Sequence, residues 1–205
     1  MKKALTTLFL IACLLAACAL PARATVIVNA NEIGGDVVFA GGGTFNLTDL
    51  TSFGGSSINA GIDPSIPQAF FGANPGTNLP IDLYGNIVSP GPFGPGGAAF
   101  PTLGSGDRFG VNPFRLIVPA GYTSGSMLNA SNTYTGATFA SLGVTPGTYI
   151  WSWGSGVNAD SFTLNIVGTS NGVPESGSTA LSMLLGLGAL ALLVRFGHRM
   201  LPARD

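Results

Sequence analysis

Two apolar blocks bracket this chain, and a short-period pattern fills the space between them. Leu5 to Leu20 forms one block, and Ala180 to Val194, interrupted among polar residues only by Ser182, forms the other. Between them no long stretch repeats its apolar residues every 3.6 positions. Short runs of β-branched and aromatic residues alternate instead with Gly, Asn, Asp and Pro clusters, the pattern of a sandwich or barrel. Strands are expected at Val26–Ala30, Val37–Ala40, Thr44–Leu47, Phe109–Val118, Tyr134–Phe139, Thr148–Trp153 and Ser161–Val167. Gly34-Gly35-Asp36 is suited to close a first hairpin between Val28 and Val38. Most of the prolines fall between Ile62 and Thr102, so that stretch reads as a loop-rich excursion with one short strand at Ile81–Tyr84. The expectation is an all-β fold, an antiparallel β-sandwich of jelly-roll-like kind, with no helix longer than a turn or two. The chain divides into residues 1–24, a domain at 25–172 and a tail at 173–205.

The strongest hairpin lies near the end of the domain. Tyr149, Trp151 and Trp153 share one face of its first strand, and Ile150 and Ser152 share the other. Gly154-Ser155-Gly156-Val157-Asn158 turns the chain, after which Phe162, Leu164 and Ile166 alternate with Ser161, Thr163 and Asn165. The aromatic stripe has two readings. Exposed, Tyr149, Trp151 and Trp153 would be a platform for stacking sugar rings. Buried, they would form the core, the preferred reading because large aromatics mostly bury and an alternating strand needs one apolar face.

Charge narrows the function classes. Only 8% of residues are charged. Between Thr25 and Gly172 the bases are Arg108 and Arg115, against Glu32 and six aspartates. A nucleic-acid partner engaged through a basic patch is therefore not expected. The single histidine, His198, is in the tail, which removes a Ser-His-Asp arrangement and histidine-ligated zinc from the domain. Asp107 and Asp160 are the carboxylates that a glycosidase would need on either side of a bond, but both sit in turn-like surroundings. No EF-hand spacing is present. Asn46-Leu47-Thr48 and Asn129-Ala130-Ser131 match the glycosylation sequon by chance. We expect no enzymatic activity, no catalytic residues, no metal site and no cofactor.

The tail has three parts in order: Val173-Pro174-Glu175-Ser176-Gly177-Ser178-Thr179, an apolar segment at 180–196, and a basic end at 195–205 that carries Arg195, Arg199 and Arg204. This arrangement resembles the PEP-CTERM sorting signal, in which a Val-Pro-Glu-Pro or Val-Pro-Asp-Ser-Gly motif precedes one membrane helix and an arginine cluster. Val173, Pro174 and Glu175 match the first form. Ser176, Gly177, Ser178 and Thr179 match the second, with Glu175 in place of its Asp. The segment from Ser141 to Leu164, and back to Pro119-Ala120-Gly121-Tyr122, is also similar to a recurrent terminal hairpin of such proteins.

The physics of the tail agrees with that likeness. The apolar segment is slightly shorter than the ~20 residues that span a bilayer, but Arg195 and Arg199 can snorkel to the headgroups. The positive-inside rule puts Arg195, Arg199 and Arg204 in the cytoplasm and Val173 just outside the inner membrane. Pro174 disfavours a helix at Val173 and keeps the motif extended.

The amino terminus is consistent with export. Lys2 and Lys3 precede the apolar block, and Ala22-Arg23-Ala24 provides an A-x-A cleavage site, so residues 1–24 read as a signal peptide that leaves Thr25 first. Leu15-Ala16-Ala17-Cys18 is the competing reading, a lipobox that would lipidate Cys18. Cleavage after Ala24 removes Cys13 and Cys18, the chain's two cysteines, so the exported domain must rest on its core rather than on disulfides.

The resemblance implies an exported, non-enzymatic cell-surface or extracellular-matrix protein of a Gram-negative bacterium. It would be held transiently in the inner membrane by its C-terminal helix, processed by an exosortase-type membrane protease or transpeptidase, and linked to exopolysaccharide and biofilm. The rival reading is a carbohydrate-binding module that uses Tyr149, Trp151 and Trp153.

Overall fold

The computed structural model describes residues 25–168. The expected signal peptide with Ala22 and Ala24, the motif at 173–179, the expected membrane helix at 180–196 and Arg195, Arg199 and Arg204 lie outside the described residues. Among the described residues no helix is long and apolar enough to cross a membrane.

The described chain is all-β. Its strands are β1 (Thr25–Ile33), β2 (Asp36–Gly43), β3 (Thr51–Ile58), β4 (Gly61–Asp63), β5 (Gln68–Phe71), β6 (Leu79–Gly85), β7 (Leu103–Gly106), β8 (Phe109–Val111), β9 (Leu116–Pro119), β10 (Leu128–Tyr134), β11 (Gly147–Trp153) and β12 (Asp160–Ile166). A short helix, α1 (Phe139–Leu142), and a 3₁₀ turn at Gly156–Asn158 interrupt them. One six-stranded sheet runs β11-β12-β1-β2-β10-β7, and the other runs β3-β6-β9-β8-β5-β4.

Strand alternation builds the core. Val26, Val28 and Ala30 of β1 point inward, as do Phe162, Leu164 and Ile166 of β12. The same core takes Phe71, Phe109, Leu116 and Val118 from the second sheet. Phe71 joins the two sheets, with its ring 5.8 Å from Phe39 and 6.1 Å from Phe162. Burial of this continuous apolar face is the dominant favourable term in folding.

The β1–β2 hairpin forms as expected. Ile33 pairs with Asp36 around Gly34 and Gly35, whose φ values of 62° and 90° suit the two-residue turn that matches strand twist. The β11–β12 pairing also forms, with Trp151 opposite Phe162 and Trp153 opposite Asp160.

Several expectations need correction. The sheets are not wholly antiparallel, because β1 and β12 run parallel, Thr25 beside Ser161 and Val28 beside Leu164. The first and last strands are separated by nearly the whole domain, so no tight turn forces them antiparallel. Thr44–Leu47 is not a strand. The chain leaves the first sheet there, and although Phe45 enters the core, the backbone bonds to side chains.

Phe109–Val118 is two strands. Asn112 Oδ1 accepts from the N–H groups of Phe114 and Arg115, each at 2.9 Å, and closes a turn between β8 and β9. Tyr134–Phe139 is the end of β10 followed by a turn into α1. There Thr138 and Ser141 form a reciprocal cap, and the Glu32 carboxylate accepts from the Phe139 N–H. The excursion from Ile62 to Thr102 contains β5 and the longer β6 rather than one short strand.

Candidate functional site

A groove of about 780 Å³ opens at the β11–β12 end of the first sheet. Its floor follows from the alternation that buries the core. With Trp151, Trp153 and Phe162 turned inward, Ser152 and Ser161 must turn outward. Register then places three hydroxyl residues in one row, Thr25 beside Ser161 and Ser161 opposite Ser152. Ile150 and Val88 add apolar surface to the same groove. Val88 joins the edge of β11 through reciprocal bonds with Ser152, 2.8 Å from its own N–H and 3.0 Å from the Ser152 N–H.

Asp49 ties the wall together. Its Oδ1 accepts from Asn158 Nδ2 at 2.9 Å and its Oδ2 from the Ser155 N–H at 3.3 Å. Its carbonyl accepts from Asn86 Nδ2 at 3.1 Å. One aspartate thus joins the segment after β2, the β11–β12 turn and the segment after β6.

Asp160 is the second carboxylate of the groove and is 6% exposed. Oδ2 accepts from the Asn46 N–H and Oδ1 from the Ser161 N–H, both at 2.6 Å. Burial pushes its carboxyl above the usual range, and these two backbone donors pull the other way. Asn46 is held from a further side, since Trp153 Nε1 donates to its carbonyl at 2.8 Å. Nearby, the Tyr122 hydroxyl accepts from the Phe45 N–H at 2.9 Å and donates to the Ser126 carbonyl at 2.7 Å. Burial raises this phenol, and the Asp160 charge adds to the rise.

The aromatic stripe faces inward. Trp151 is fully buried and Trp153 is 4% exposed. Trp151 packs edge-on against Phe162 at 5.4 Å and Phe93 at 6.4 Å. Tyr149 is half-buried against Phe93 at 5.7 Å, and its hydroxyl donates to the Thr145 carbonyl. A stacking platform needs a wet ring face, so the folded strand does not present Trp151 and Trp153 as one.

Asp107 and Asp160 are not brought into one site, because they line different grooves. Asp107 Oδ2 accepts from the Asn129 N–H at 2.9 Å, a structural role in the β7–β10 region. Among the described residues no three His, Cys, Asp or Glu side chains cluster as metal ligands. The second groove, about 300 Å³, is bordered by Asp107 and by Arg108, which is 1% exposed. The Arg108 guanidinium donates to the carbonyls of Phe71 and Thr77, both at 3.3 Å, and burial lowers its pKa.

The outward Ser152 and Ser161 were legible from hairpin alternation. Asp49, Asn86 and Val88 were not, because no local pattern shows that their loops reach β11.

No protein-family model, curated protein or solved structure matches this chain.

Proposed function

We propose that this chain is an exported, non-enzymatic cell-surface or extracellular-matrix protein delivered by a C-terminal exosortase sorting signal. The single observation that carries the reading is the order of features in the tail: Val173-Pro174-Glu175, an apolar segment, then Arg195, Arg199 and Arg204. The position of the last strand is compatible with it. β12 ends at Ile166, seven residues before Val173. The domain's carboxylates hold backbone N–H groups, an arrangement suited to a scaffold. The chain crosses between sheets from β2 to β3, β6 to β7, β7 to β8 and β9 to β10, which supports a jelly-roll-like sandwich.

The implied partners are an exosortase-type membrane enzyme, the inner membrane and an exopolysaccharide, with no nucleic acid among them. Changing Pro174 and Glu175 together to Ala tests the reading. The variant should still insert, and its unshortened form should accumulate in the inner membrane. Normal shortening and delivery would reduce the tail to a plain anchor.

The carbohydrate-binding reading moves from the buried stripe to the hydroxyl row of Thr25, Ser161 and Ser152, a floor suited to a polyhydroxylated neutral chain. Glycan-array binding by wild type that is lost in Ser152→Arg would support it. Failure of the wild type to retain any glycan would dismiss it.

A further inference from the structure

We propose that signal-peptide removal creates a charge pair at this groove, the α-ammonium of Thr25 against the carboxylate of Asp160, so that maturation itself fastens β1 into its sheet. The inference rests on the reading of Ala22-Arg23-Ala24 as the cleavage site.

Position makes the pair available. Thr25 opens β1 and lies in parallel register with Ser161, the neighbour of Asp160. In a parallel pair the nitrogen of Thr25 lies on the Asp160 side of its own Cα, so the new amine falls between the levels of Ser161 and Asp160. Adjacent strands lie about 4.8 Å apart, and Thr25 and Asp160 line the same groove.

Electrostatics makes the pair favourable. Asp160 is buried, and its hydrogen-bond donors, the N–H groups of Asn46 and Ser161, are neutral. A buried carboxylate without a cation is unfavourable, and a fixed positive charge close by offsets that. The other ionisable groups near it do not supply one. Asp49 on the groove wall adds negative charge, and Tyr122 is neutral at ordinary pH. The two cations of the described residues are engaged elsewhere, Arg108 at the carbonyls of Phe71 and Thr77, and Arg115 over the Phe53 ring at 4.7 Å.

The chemistry is a simple hydrolysis. A signal peptidase adds water across the Ala24–Thr25 amide, the leader leaves with the Ala24 carboxylate, and the Thr25 amine takes up a proton. A neutral amide is replaced by a cation at the place where the domain has a buried anion.

The amine can be measured without ambiguity, because the chain's lysines are Lys2 and Lys3 and a chain starting at Thr25 has no other primary amine. The full chain from Thr25 onward, released from a cleavable fusion, is compared in detergent micelles with and without N-terminal acetylation. Acetylation should lower the Tm of the wild type by a few degrees and leave Asp160→Asn nearly unchanged. The pH dependence of acylation should place the wild-type amine at least about half a unit above the ordinary 7.7–8.0.

Equal Tm losses in both proteins, or an amine that titrates in the ordinary range, would overturn the pair. If Asp160→Asn does not fold, the wild-type titration decides alone. Mass spectrometry of the exported chain tests the cleavage reading separately. A lipidated Cys18 start would end the maturation role while the titration still reports on the pair.

Discussion

Trp151 and Phe162 face each other across the β11–β12 hairpin, with ring centroids 5.4 Å apart and planes at 66°. Both are fully buried, and the Trp151 Nε1–H has no hydrogen-bond partner. Trp151→Ala should therefore destabilise the domain by about 3–5 kcal/mol, as expected for emptying a large core site. Trp151→Phe should cost clearly less, because it keeps much of the ring contact and removes an unpartnered donor. Chemical denaturation of the two variants measures the difference. Equal losses would show that the ring contact Phe retains contributes nothing at this site.

Gly41, Gly42 and Gly43 end β2, which is paired on both sides, by β1 and β10. A Cβ at Gly41 would collide with the backbone carbonyl of Ile27, and one at Gly42 with that of Leu128. Backbone cannot step aside as a side chain can. Gly41→Ala should destabilise by at least about 1–3 kcal/mol, whereas Gly34→Leu in the open first turn would act only through its positive φ. Comparison of thermal melts of Gly41→Ala and Gly42→Ala with wild type tests this, and a wild-type melt for either would contradict the close approach.

Tyr134 closes one end of the core, edge-on to Phe39 at 5.5 Å, and burial pushes its phenol far above the ordinary value of 10. Its folded form therefore holds its proton longer than its unfolded form does. The resulting stability is fully present below about pH 10, the unfolded value, and is lost as pH rises above it. Stability measured from pH 8 to pH 11 should fall in wild type and fall less in Tyr134→Phe. Parallel curves would remove Tyr134 from the alkaline transition.

Changing Arg195 and Arg199 together to Gln should impair membrane orientation and retention of the tail while leaving the Val173 motif in place. Fractionation of cells that express this variant beside the Pro174/Glu175 variant should show two different defects. The first is loss from the inner membrane and the second is an unshortened form held there. The same phenotype in both would mean that the motif and the basic end are not read separately.

A Thr25 amino terminus is the expected mature start, and the exported protein's intact mass checks it. The alternative mass, that of a chain beginning at an acylated Cys18, would make the protein a lipoprotein.

Period-two alternation is a local property, so strands that bury one face are legible in the order of residues. Val26-Val28-Ala30, Trp151-Trp153 and Phe162-Leu164-Ile166 could be read directly, as could the Gly34-Gly35 turn. β3 escaped notice because it is an edge strand, Thr51–Ile58, exposed almost throughout, with no buried face to print alternation on its sequence. β10 was obscured by Asn132, a buried polar residue at an inward position whose Oδ1 accepts from the Gly72 N–H at 2.7 Å. Which strands become neighbours is a matter of long-range contact, which no local pattern encodes. The parallel placement of β1 beside β12 brings Thr25 next to Ser161, and Asp49 reaches Asn158 across 109 positions. The outward hydroxyls of the hairpin were written locally. The wall that makes them a groove depends on loops closed through hydrogen bonds between distant residues, for which a single sequence carries no periodic signal.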